Sequence, residues 1–256
     1  MLLHRSRRPL SRTLNTPNRP PQPRSDWALF LDADGTLLDL ATNPGAVRIP
    51  DTLVPALAAA RAWLGGALAI VSGRSIEQID QLMAPLQLPC AGEHGAVMRL
   101  PDARTLRADE DRAVPKAWRQ HMHFAAKAWT GVIVEEKTYT VAIHFRQAPG
   151  RKREVVRLLE SIMEGQSGEF EILPARMAFE IRHRLLNKGV AVREFQRLAP
   201  FAGRIPVFVG DDVTDEDGFR AVAEQGGLAL AVADAFGGQP SQVRRWLETF
   251  RPQTAD

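Results

Sequence analysis

The chain has 256 residues, 45% of them hydrophobic and 25% charged, which is a globular composition long enough for one large domain or two smaller ones. A single cysteine, Cys90, excludes a disulfide framework and fits a reducing, cytoplasmic setting, and no run approaches the roughly 20 apolar residues of a membrane span. The net charge of +3 hints at nucleic acid, but residues 1–25 hold six arginines and no acid, so residues 26–256 carry −3 and the fold itself is mildly acidic.

Residues 1–25 are rich in Pro, Ser, Thr and Asn and are expected to form a disordered basic tail without the apolar centre of a secretory signal. The apolar run 27–31 predicts a strand, 50–63 an Ala- and Leu-rich helix, 67–71 a second strand and 75–83 another helix. Cys90 reads as a packed residue beside a strand. A thiol-based phosphatase would need a basic residue six positions after it, and position 96 is Ala.

The middle of the chain has a different pattern. Trp118, Met122, Ala125 and Trp129 mark one face of a helix, and strands follow at 131–135 and 138–146, the second alternating Tyr139, Val141, Ile143 and Phe145 with Thr140, Ala142, His144 and Arg146. A helix after Pro149 and strands at 169–173 and 177–182 repeat this helix-strand-strand order. The pattern predicts an antiparallel sheet with helices on one face. After it come a helix at 188–198, a strand at 204–209, a helix with Thr214 and Asp217 at capping-box spacing, and a strand at 228–232. Apolar strands alternating with helices predict a parallel sheet covered on both faces. The fold class expected is α/β: a Rossmann-like core of residues 26–103 and 185–256 with an inserted α+β cap of residues 104–184.

The polar clusters fall where such a sheet binds ligands, beyond the carboxyl ends of its strands. Asp32 and Asp34 follow the first strand, Ser72-Gly73-Arg74 the second, and Asp211, Asp212 and Asp215 a later one, while Lys188 opens a helix. Carboxylates brought this close repel one another, and a divalent cation with a phosphoryl group would relieve the repulsion. Oxygen donors suit Mg²⁺. No His/Cys cluster argues for zinc, and His121 and His123 sit on a helical pattern as surface residues. Ser72, expected at a helix N-terminus, would bind phosphate through its hydroxyl and nearby amides, with Lys188 as counter-charge. A carboxylate beside phosphorus can attack it, and a second, two residues on, can protonate the leaving oxygen and later deprotonate water. Each motif alone has blander readings: an Asp pair can bind calcium or cap a turn, and Ser-Gly often starts a helix. Their common order and placement favour the joint reading.

The segments LDADGTLL, VSGR, GEHGA, EEKTYTVAIHFR, FEIRHRLLNKG and FVGDDVTDEDGF resemble the haloacid dehalogenase superfamily and, within it, the trehalose-6-phosphate phosphatases, over nearly all of residues 26–250. The resemblance implies Asp32 as nucleophile, Asp34 as general acid/base, Ser72 and Lys188 holding phosphate beside Gly73 and Arg74, and Mg²⁺ ligated by Asp32, the Asp34 backbone carbonyl and Asp211, with Asp212 and Asp215 supporting. It also implies sugar contacts from Glu135, Lys137 and Glu180. A polar sheet face carrying them would offer paired donors and acceptors to a polyol; a solvated face with surface salt bridges is the blander reading, shared by His144 and Arg146. Ala33 replaces a bulky aromatic, and Arg182-His183-Arg184-Leu185 replaces a Lys-Pro stretch, so Arg182 is not assigned to substrate. The implied function is Mg²⁺-dependent hydrolysis of trehalose 6-phosphate by a monomer, in a pathway shared with trehalose-6-phosphate synthase, without nucleic acid or membrane partners. The rivals are a phosphatase for sucrose phosphate or mannosyl phosphoglycerate, a mutase on the same core, and a non-catalytic sugar-phosphate sensor.

Overall fold

The computed structural model describes residues 17–40, 48–165, 168–175 and 177–251. In chain order the elements are β1 (Trp27–Leu31), α1 (Leu53–Trp63), β2 (Leu68–Val71), α2 (Ile76–Met83), β3 (Cys90–Gly92), β4 (Val97–Arg99) and β5 (Thr105–Arg107). Then come α3 (Lys116–Ala126), β6 (Ile133–Glu136), β7 (Val141–His144), α4 (Lys152–Met163), β8 (Phe170–Ala175) and β9 (Ala178–His183). The chain ends through α5 (Lys188–Gln196), β10 (Ile205–Gly210), α6 (Glu216–Glu224), β11 (Leu228–Ala231), α7 (Val232–Ala235) and α8 (Pro240–Leu247). Two compact units result, one of residues 108–186 and one of the described residues up to Arg107 together with Asn187 onward.

The second of these carries a seven-stranded sheet of order β11-β10-β1-β2-β3-β4-β5. All five residues of β1 are buried, as a strand covered on both faces requires, which is why they read as an unbroken apolar run. β1 pairs in parallel with β10 and β2, β10 with β11 and β2 with β3; β4 and β5 turn back antiparallel at the edge. The chain winds outward from β1 through β3 and later re-enters at β10, on the opposite side of β1. The carboxyl ends of β1 and β10 therefore flank a topological switch point, where an open sheet leaves a crevice.

Aromatic packing fixes the covering helices. Phe30 stacks on Phe201 with ring centroids 5.4 Å apart and lies 6.0 Å from Phe195 of α5. At the other end of β1, Trp27 lies 6.2 Å from Trp246 of α8. Each such buried ring contributes on the order of 1.5–3 kcal/mol from apolar transfer alone. Residues 17–25 of the expected tail are among the described residues. Within residues 17–25, the carbonyl of Pro21 accepts from Trp246 Nε1 at 2.9 Å, and that of Ser25 accepts from Arg204 Nη1 at 2.6 Å. Residues 1–16 lie outside the described residues.

The unit of residues 108–186 holds an antiparallel sheet of order β6-β7-β9-β8. Val141, Ile143, Phe179 and Ile181 face α3 and α4, joining Trp118, Met122, Val155, Leu159 and Ile162 in one core. The residues between them on β7 and β9, including His144, Glu180 and Arg182, lie on the opposite face. The expected strand 138–146 is shorter: β7 runs only from Val141 to His144, and before it the Lys137 N–H closes a turn on the Thr140 carbonyl at 3.1 Å. Among the described residues no helix is long and apolar enough to cross a membrane.

Candidate active site

The last residue of β1 is followed at once by Asp32, buried at 4% exposure, whose N–H still donates to Val209 of β10 at 3.0 Å. Its carboxylate is fixed by Lys188, the first residue of α5. The Lys188 ammonium donates to Asp32 Oδ1 and to Asp215 Oδ1, both at 2.6 Å. Asn187 caps α5, its side chain accepting from the Val190 N–H at 3.0 Å, and so sets where the helix begins and where Lys188 points. Burial alone would lower the Lys188 pKa, but the charges of Asp215 and Asp32 outweigh it and hold it above the ordinary lysine value.

The turn after β10 brings the remaining acids. Asp215 is fully buried, and its Oδ2 accepts the backbone N–H groups of Asp211 at 2.9 Å and Asp212 at 3.0 Å. The capping box expected at Thr214 and Asp217 forms instead between Asp212 and Asp215, because the helical turn starts at Val213, three residues before α6. One carboxylate oxygen each from Asp32, Asp211 and Asp215 lie within 4.8 Å of one another. Burial, opposed by Lys188 and reinforced by Asp215 and Asp211, raises Asp32 well above the usual carboxylate range. Asp211 stands at the exposed rim; partial desolvation, then the charges of Asp215 and Asp212, push it up to about 7. Carboxylate oxygens gathered this closely are a donor set that fits a hard divalent cation.

Gly35 makes this approach possible. Its φ of +78° is left-handed, and a Cβ there would collide with the Asp211 carboxylate. Thr36 adds a hydroxyl that donates to Asp211 Oδ1 at 3.4 Å. An open cavity of about 350 Å³, lined in part by Gly35, Asp211 and Val232, reaches this rim.

Asp34 faces elsewhere. Arg74 holds it in a two-pronged ion pair, Nε to Oδ2 and Nη2 to Oδ1, both at 2.6 Å. The Asp34 side chain remains 37% exposed, whereas Lys188 and Asp215 are sealed at 2% and 0%, so an arriving ligand can open the first pair and not the second. Ser72 is buried just after β2, but it does not head a helix: α2 starts at Ile76, capped by Ser75 in a capping box with Gln78. Ser72 instead ends its strand, its N–H bonded to the Ala91 carbonyl and its Oγ accepting the Arg74 N–H at 3.2 Å. Sequence reasoning placed Arg74 in this cluster but did not foresee its grip on Asp34, 40 residues away, and gave no part to Thr36 or Asn187.

In the other unit, Lys137 lies just past the end of β6, so it does not share a strand face with Glu135 by continuation of the ladder; its ammonium nevertheless donates to Glu180 at 3.1 Å. Thr140 also donates to Glu180, and His144 pairs with Glu135 at 2.9 Å. That hydrogen bond, opposed by desolvation, holds Glu135 below the usual glutamate value. Arg182 is buried and donates to Glu171, which Arg184 also engages. His123 is exposed and pairs with Glu136.

A buried ammonium between aspartates at the switch point of a parallel sheet suits a phosphoryl group, and the relatives of this chain define its class as phosphatase. Residues 30–246 match the family model described as trehalose-phosphatase. A "Probable trehalose-phosphate phosphatase" of Sinorhizobium fredii is 42% identical over 222 residues, 84% of this chain and 83% of that protein. The "Trehalose-6-phosphate phosphatase" of Escherichia coli is 34% identical over 212 residues, covering 83% and 79%. The solved C-terminal domain of the trehalose-6-phosphate phosphatase of C. albicans shares the fold, with a TM-score of 0.73 at 18% identity, over 88% of this chain and 91% of that one. The chain belongs to the trehalose-phosphatase family.

Proposed function

We propose that the protein hydrolyses trehalose 6-phosphate to trehalose and inorganic phosphate, with Asp32 as nucleophile and Mg²⁺ as cofactor. The observation that carries the reading is the convergence of Asp32, Asp211 and Asp215 at the crevice of the sheet, with Asp32 and Asp215 holding one buried ammonium between them. The substrate named for the two curated relatives supports the choice of sugar phosphate.

Asp32 Oδ attacks phosphorus, forming a P–O bond to the carboxylate as the bond to the sugar O6 breaks. Asp34 gives its proton to that leaving oxygen, then takes one from the water whose attack on phosphorus releases phosphate and restores Asp32. Lys188 and the Ser72 hydroxyl balance and orient the phosphoryl oxygens, with Gly73 in the same loop as Ser72. The two-pronged pair makes Arg74 a competitor for Asp34. A dianionic phosphate draws the guanidinium to itself and leaves Asp34 able to carry the proton. Mg²⁺ would be held by Asp32, Asp211 and the Asp34 backbone carbonyl, supplying charge neutralisation at the phosphoryl oxygens; Asp215, with Asp212, fixes the turn that presents Asp211. Glu135, Lys137 and Glu180 would hydrogen-bond sugar hydroxyls.

Phosphate release from a panel of sugar phosphates, with Mg²⁺ or with EDTA, tests this reading. Release from trehalose 6-phosphate at least about tenfold faster than from sucrose phosphate or hexose phosphates, and lost with EDTA, is expected. A tenfold preference for another ester, or full activity in EDTA, would refute it.

A further inference from the structure

The Gly-Glu-His-Gly segment at 92–95 has no part in the chemistry above, yet it is the most constrained backbone near it. Glu93 and His94 are consecutive left-handed residues, with φ of +47° and +60°, and both are buried, at 2% and 4% exposure. Left-handed backbone at two successive non-glycine residues costs on the order of 1–3 kcal/mol each and persists only where surroundings enforce it.

Those surroundings are the two elements that carry the phosphate contacts. On one side, the Glu93 N–H donates to the Arg74 carbonyl and the His94 N–H to the Ser72 carbonyl, both at 2.9 Å. The His94 ring lies against Gly73, where a Cβ would stand 2.8 Å from its Cε1 and Nε2. On the other side, Gly95, with φ of +105°, lies where a Cβ would stand 3.2 Å from the Asn187 carbonyl and from the Ala191 side chain, at the head of the helix that begins with Lys188.

We propose that His94 is a positioning residue for phosphate binding, and that the Gly92–Gly95 segment sets the Ser72-Gly73-Arg74 loop against the start of α5. The two backbone bonds consume the Ser72 and Arg74 carbonyls, and the ring sets the height of Gly73 between them. The Ser72 hydroxyl, the Arg74 guanidinium and the Lys188 ammonium are thereby held in one register before any ligand arrives. His94 acts through the loop, not on the substrate. The inference rests on the reading of Ser72 and Lys188 as phosphate contacts.

Calorimetric titration of the full chain with inorganic phosphate, in Mg²⁺, tests it without turnover. His94→Asn keeps a residue that tolerates left-handed backbone but removes the ring. It is expected to weaken phosphate binding at least about tenfold while the Tm moves by only a few degrees. His94→Phe, which restores a flat ring, should stay within about threefold of wild type. Gly73→Ala, whose Cβ meets the ring, should also lose binding, and the double variant Gly73→Ala/His94→Asn should lose no more than His94→Asn alone, because the two changes act on one contact. Unchanged phosphate affinity in His94→Asn, failure of His94→Phe to recover it, or additive losses in the double variant would overturn the proposal. Should His94→Asn fail to fold, Gly73→Ala against Gly73→Ala/His94→Phe decides it: equal losses in the two, with the ring present in both, are expected, and recovery in the second would contradict it. If wild type itself does not bind phosphate, the reading of the loop falls, and this inference with it.

Discussion

Lys188 and the acids around it set the terms at the residue scale. A buried ammonium between two buried carboxylates is stable only as a set, since removing one charge leaves its partners desolvated and unpaired. Lys188→Ala is therefore expected to cost about 3–5 kcal/mol of folding stability in the metal-free protein, read from denaturant unfolding, and to abolish turnover even where Mg²⁺ restores the fold. Asp211 gives a pH dependence of definite sign. Its carboxyl is pushed up to about 7, and as a proposed Mg²⁺ ligand it must be ionised, so the proton would compete with Mg²⁺ below that value. The apparent affinity for Mg²⁺ in direct titrations should fall as pH drops through about 7, and more steeply where the raised Asp32 carboxyl also takes up a proton. Asp211→Asn should remove its own share of that dependence along with most of the affinity. Gly35→Ala is the steric counterpart: its Cβ would enter the space of the Asp211 carboxylate, and loss of metal binding without unfolding is the outcome expected.

At the scale of elements, strand ends and one helix start bring Asp32, Ser72, Lys188 and Asp211 to the carboxyl edge of one sheet, and that placement could be read from sequence. Unbroken apolar runs marked β1, β2 and β10, and the polar residue that follows each one had to stand at the carboxyl edge. Ser72 was placed at a helix start because Ser-Gly-Arg precedes a helical pattern; the true cap, Ser75, competes for the same role and wins because Gln78 completes its capping box. Pairings across the chain left no trace in any local pattern. Arg74 with Asp34 and Lys137 with Glu180 each join segments about forty residues apart, and no periodicity encodes which basic residue meets which acid. Two further tests belong here. Asn187→Ala removes the cap of α5 and should cost about 1 kcal/mol of stability, with a larger loss in kcat than that figure implies, because Lys188 is the first residue of the helix. Cys90 lies in β3 with its thiol pushed up to about 11, chiefly by burial. A disulfide reagent at pH 8 should leave it unlabelled in the folded chain and label it fully in denaturant.

Across the whole molecule, two units are joined by chain passing out after β5 and back before α5. Their separate sheets were legible because the period of hydrophobicity changes: unbroken runs in one unit, alternation in the other. The contacts of Pro21 and Ser25 were not, since they are made by backbone carbonyls accepting from Trp246 and Arg204, which no local pattern encodes. The account as a whole turns on covalent transfer to Asp32, and rapid acid quenching with ³²P-labelled trehalose 6-phosphate and Mg²⁺ measures it most directly. The account predicts label on the protein that builds up in Asp34→Asn, is released by hydroxylamine and is absent in Asp32→Asn, which folds but does not turn over. Turnover by Asp32→Asn at a rate comparable to wild type, with no protein-bound label in any variant, would contradict it.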